Sequence, residues 1–70
     1  MSLYTLKVSW KNRRPEAPKW ELMHSGDYDS CQRELTRLLE ARVEHKQDVI
    51  LKEGRDWVTT AKGHWRIFEA

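Results

Sequence analysis

The chain has 70 residues, with 13 Lys or Arg against 11 Asp or Glu, one Cys and a high aromatic content led by four Trp. A chain this short buries only about 60% of its unfolded surface, which makes residues 1–70 one domain with one core and leaves no enclosed cleft between domains. The single Cys31 excludes an internal disulfide, no apolar run approaches the ~20 residues of a membrane span, and the absence of a signal-like segment predicts a cytoplasmic setting.

Charge is unevenly placed. Residues 1–26 carry five Lys or Arg against two Glu, whereas residues 27–46 carry four against five and residues 47–70 balance four against four. A basic front end on a near-neutral domain permits nucleic-acid binding without demanding it.

In chain order, Leu3 to Trp10 alternates, with Tyr4, Leu6, Val8 and Trp10 opposing Thr5, Lys7 and Ser9. That period predicts a half-buried strand. Lys11 to Pro18 reads as a loop, since Pro15 and Pro18 remove backbone donors and Asn12 favours a turn. Lys19 to His24 resumes the alternation, placing Trp20, Leu22 and His24 on the inward side of a second strand paired antiparallel with the first.

The segment Asp27 to Lys46 is the one long helical pattern. Tyr28, Cys31, Leu35, Leu38, Leu39 and Val43 recur at intervals of three and four, so they share one side of a helix. Asp29 and Gln32 have capping-box spacing, and Arg42, His45 and Lys46 suit the negative end of the helix dipole. Core packing accounts for the stripe, including Cys31 as a buried thiol.

Val49 to Lys52, Trp57 to Thr60 and His64 to Phe68 follow as short strands punctuated by Gly54 and Gly63, with Trp65 and Ile67 opposing His64, Arg66 and Phe68. The sum is an α+β fold: a small antiparallel sheet of four to five strands, ββαββ or ββαβββ, with one helix packed on one face. Three of the four Trp are expected in the core.

Chemistry-bearing patterns are few. His24, Cys31, His45 and His64 lack the paired spacings of a zinc site, so no metal or cofactor is expected. Asp27, Asp29, Glu34 and Glu40 fit caps and pairs with Arg33 and Arg37, and no Ser or Cys sits in a nucleophile elbow, so the expectation is not an enzyme. What remains is a contact surface. Lys11, Arg13 and Arg14 stand on a Pro-stiffened loop, and Lys7, Lys19 and Arg66 with Trp57 or Phe68 are the candidates on the solvent face of the sheet. Cations with stacking aromatics suit nucleic acid, while Trp, Met and Arg beside one another suit a protein interface.

The order Tyr4-Thr5-Leu6-Lys7-Val8, loop, second strand, helix through Leu38-Leu39 and a Trp-rich end at Trp57 and Trp65 resembles very small phage-encoded accessory proteins, including some anti-CRISPR inhibitors and inhibitors of host enzymes. That resemblance implies a non-catalytic modulator that binds a host protein. The Arg13-Arg14 loop departs from the acidic, nucleic-acid-mimicking members of the group. A macromolecular partner is therefore expected, protein ahead of nucleic acid, with a homodimer through an unpaired edge (the Trp57 or His64 strand) as a structural alternative. The surface discriminates between the two main readings. Cations clustered about an aromatic favour nucleic acid, and an apolar patch with a polar rim favours protein.

Overall fold

A computed structural model describes residues 2–70. The chain runs β1 (Tyr4–Trp10), β2 (Glu21–Gly26), α1 (Tyr28–Glu44), β3 (Ile50–Glu53), β4 (Trp57–Thr60) and β5 (Gly63–Glu69). All strand pairs are antiparallel, and the sheet order is β2-β1-β5-β4-β3. The first hairpin and the closing meander form as expected from the alternation, and β5 returns to join them along β1.

Alternation explains which residues pack. Leu6 and Val8 in β1, Val58 in β4, and Trp65 and Ile67 in β5 are buried against Cys31, Leu35 and Leu39 of α1. Trp10 meets Trp65 edge-on, with ring centroids 5.4 Å apart, and Tyr4 meets Tyr28 in the same manner at 5.3 Å. Gly63 is buried opposite Trp10, and a Cβ there would lie 2.9 Å from the Ser9 carbonyl oxygen, so this close strand approach requires glycine.

Two helix ends depart from the expected signals. Asp27, rather than Asp29, is the N-cap: its carboxylate accepts from the Ser30 backbone N–H at 2.7 Å, while the Ser30 hydroxyl donates to the Asp27 carbonyl at 3.0 Å. The Ser30 N–H, then the Ser30 side chain, hold the Asp27 carboxyl below its usual range. At the other end Gln47 N–H donates to Arg42 O and Lys46 N–H to Val43 O, a Schellman arrangement. It is closed by a non-glycine residue, Lys46, at φ 56°.

The connection from α1 to β3 is fastened by a buried polar group. Asp48 accepts from the Val49 N–H at 2.8 Å and the Lys62 N–H at 3.2 Å, and Arg42 Nε stands 3.5 Å from its other oxygen. The Arg42 guanidinium in turn lies 5.0 Å from the Trp10 ring and 5.8 Å from the Trp65 ring. Burial pushes the Asp48 carboxyl up, but hydrogen bonds from Thr60, Val49 and Lys62 and the Arg42 charge outweigh it, leaving the pKa below the ordinary value.

One helix does not cover this sheet. Five strands at ~4.8 Å spacing span about 19 Å, against a helix diameter of about 10–12 Å. Helix α1 packs mainly on β2, β1 and β5 and reaches Val58 of β4, while the four residues of β3 stay exposed. There an open cleft of about 630 Å³ runs between the helix and the β3–β4 hairpin. Val43, the last apolar residue of the stripe, is exposed at its lip.

Candidate binding surface

Antiparallel partners point to the same face of a sheet, so the register assigns every paired side chain. Leu6, Val8, Trp65 and Val58 define the helix side. The opposite, open face then carries Thr5, Lys7 and Ser9 from β1, with His64, Arg66 and Phe68 from β5. Trp57 and Thr59 from β4, Lys52 from β3, and Leu22 and Ser25 from β2 complete it.

No carboxylate stands on that face among the described strand residues. The three that the strands contain, Glu21, Glu53 and Glu69, pair with Val8, Val58 and Tyr4 and so belong to the helix side. Helix α1 adds Asp29, Glu34, Glu40 and Glu44 to the same side, against Arg33, Arg37 and Arg42. A net charge of only +2 thus conceals a polarised molecule.

Aromatics are gathered on the positive side. Trp20 lies across the open face and meets Phe68 edge-on, ring centroids 5.0 Å apart. Lys7 and Arg66 each hold their charge 5.5 Å from the Phe68 ring. A small hollow of about 200 Å³ opens between Trp20 and Trp57, with Thr59, His64 and Arg66 on its walls. The Trp57 indole folds back over the hairpin turn, where a Cβ on Gly54 would come within 2.2 Å of its Nε1. Thr59 Oγ1 and His64 Nδ1 are hydrogen-bonded at 3.0 Å.

The basic loop forms the second part of the surface. Lys11, Arg13, Arg14 and Lys19 line one shallow hollow with Pro15 and Ala17. Backbone contacts hold the loop in place: Lys11 N–H donates to Lys62 O at 2.9 Å, Arg13 donates to Trp10 O at 3.2 Å, and Ala17 N–H donates to Arg14 O at 3.0 Å. Trp20 ties the end of the loop to the open face through Phe68.

The candidates from sequence therefore fall into two groups. Lys7, Trp57, Arg66 and Phe68 share the open face, and Lys11, Arg13, Arg14 and Lys19 share the loop hollow. Trp20 corrects the expected arrangement. A bulge between Leu6 and Lys7 sets Leu22, not Met23, opposite Lys7, so Trp20 and Leu22 face away from the helix while His24 faces toward it. Of the four Trp, Trp65 is fully buried, Trp10 packs at the core margin, and Trp20 and Trp57 lie half-buried on the open face, so the expected three core tryptophans are reduced to two. His64, Thr59 and Lys52 were missed as surface partners. Their alternation with Trp65 and Val58 carried the signal, and the pairing of β3, β4 and β5 gave it meaning.

The edges also differ from expectation. The Trp57 and His64 strands are internal, paired on both sides, and the free edges belong to β2 and β3. Near the helix start His24 Nε2 lies 3.2 Å from Ser30 Oγ, with Asp27 adjacent. The Ser30 hydroxyl already donates to the Asp27 backbone, and the Asp27 carboxylate accepts a backbone N–H, so these contacts build a helix cap. Among the described residues no group of three or more His, Cys, Asp or Glu is placed to hold a metal ion, and no helix is long and apolar enough to cross a membrane. Comparisons with family models, with curated proteins and with solved structures each returned no match.

Proposed function

We propose that this protein is a non-catalytic binding module whose open sheet face and 11–19 loop engage single-stranded nucleic acid. The observation that carries the reading is the carboxylate-free face on which Lys7, Arg66 and His64 surround Trp20, Trp57 and Phe68. Strands of unpaired bases are held by aromatic rings for the bases and cations for the phosphates. The hollow between Trp20 and Trp57 is of a size to receive one planar base, and Lys19, Arg13 and Arg14 extend the positive track along the loop. A protein interface suits this face less well, because its aromatics are ringed by cations. Leu22 is the one exposed large aliphatic that the strand register places there.

The test is fluorescence anisotropy with labelled 12-nucleotide single strands across a salt series. Affinity should fall with salt, and Arg13→Ala with Arg14→Ala should lower the slope of log K by about 0.7 for each phosphate no longer neutralised. Trp20→Ala or Trp57→Ala should each weaken binding by about 1–3 kcal/mol if a base stacks on that ring. Absence of binding at low salt, or binding that ignores both tryptophans and Arg66, removes the reading.

A further inference from the structure

The helix side has a separate surface, whose reading does not depend on nucleic-acid binding. The cleft between α1 and the β3–β4 hairpin is floored by Leu35, Leu39 and Val58, with Val43 and Ile50 exposed at its lips. It exists because the sheet is about two helices wide and the chain supplies one. A second helix laid beside α1 at 8–10 Å would lie over the exposed strand β3 and the outer margin of β4.

The rim identifies the chemistry of that helix. Glu40 and Glu44 from α1 and Glu53 from β3 border the cleft, against Arg55 at the hairpin end. None of the three carboxylates has an ion-pair partner among the described residues. Glu40 and Glu44 are one turn apart, a like-charge spacing that disfavours the helix, and they stand in its C-terminal half, where the dipole also disfavours negative charge. Among the described residues no ion pair compensates this placement, whereas an incoming cation would.

We propose that this cleft docks an amphipathic, basic helix of a partner protein, its apolar residues against Leu39, Val43 and Ile50 and its lysines or arginines against Glu40, Glu44 and Glu53. Helix-in-groove recognition of this kind is anchored at i, i+3, i+4 and i+7. A second copy of this chain is the poorer occupant. Its own helix would set Glu40 and Glu44 against the same carboxylates, and its basic segment is the proline-containing loop at 11–18.

The experiment titrates the full chain with three labelled 18-residue peptides: leucines at helical spacing with lysines elsewhere, the same with glutamates, and a scrambled lysine version. The lysine amphipath should bind at least tenfold more tightly than either control, with amide shifts in residues 35–44 and 50–58. Reversing Glu40→Lys and Glu44→Lys together should weaken it at least tenfold. Both positions are exposed, so circular dichroism should show the fold retained. Equal binding of the lysine and glutamate peptides, shifts confined to the open face, or no binding overturns the proposal. Sedimentation showing a dimer that Ile50→Asp abolishes would assign the cleft to a second copy instead, and would also overturn it.

Discussion

The Asp48 side chain offers the sharpest energetic test of the fold. Replacing Asp48 by Ala removes the acceptor of two backbone N–H groups, at 2.8 Å and 3.2 Å, and leaves Arg42 facing the space where a carboxylate stood. A buried donor left unpaired costs about 1–3 kcal/mol. Both of these hydrogen bonds are only part-buried, so the low end applies to each. The Arg42 side chain keeps partial solvent access and its contacts with Trp10 and Trp65, which reduces the penalty of breaking the pair below the 3–5 kcal/mol of a fully buried one. The expected loss is about 3 kcal/mol, a large share of the ~3–10 kcal/mol that a domain of this size possesses. Asp48→Asn keeps a carbonyl oxygen for the two donors and should lose only about 1 kcal/mol.

Urea unfolding followed by tryptophan fluorescence measures both variants, and pH supplies the sign. The folded carboxyl lies below its ordinary value, so its contribution is complete above the unfolded pKa of about 3.9 and disappears as pH falls through the folded one. The difference between the natural chain and Asp48→Asn should therefore shrink as pH falls below about 4. Equal and small effects of Ala and Asn, or a difference independent of pH, would refute the account of this junction.

Three further outcomes follow from the packing. Cys31 is fully buried, and its thiol is pushed up first by burial and then by the nearby Asp27 charge, so a thiol reagent should modify it at the rate of unfolding rather than at the rate of a free thiol. Lys46→Gly should stabilise the protein by up to about 1 kcal/mol, because glycine adopts the left-handed cap conformation without the Cβ penalty; a loss of stability in urea would contradict the assigned φ of 56°. Gly54→Ala should displace the Trp57 indole, shifting its fluorescence and weakening nucleic-acid binding as Trp57→Ala does; unchanged emission would show that the indole does not lie over the turn.

Much of the architecture was legible from period alone. Leu6 and Val8, Cys31, Leu35 and Leu39, and Trp65 and Ile67 pack where alternation or three-and-four spacing places them, because burial of one face leaves a strand or helix no other register. The candidate cations and aromatics were likewise identifiable as the residues opposing those core positions. Trp20 was misplaced because a bulge breaks the period of the β1–β2 pair in a way that composition does not announce. The helix cap at Lys46 was illegible for a similar reason, since the residue that usually marks it, glycine, is absent.

By itself, then, the sequence determined the elements and the inward faces of β1, α1 and β5, whereas alternation alone turned Trp20 and Leu22 inward on β2 and Glu21 outward, and the observed register reverses both. Only the tertiary structure decided that β5 inserts between β1 and β4, which brings Lys7, Arg66 and Trp57 into one row. That pairing sets Lys7 beside Arg66, 59 positions away in the chain, and local periodicity carries no information about it. The same strand order makes the sheet wider than one helix, and so leaves the cleft at Val43 and Ile50 that no reading of either segment alone discloses.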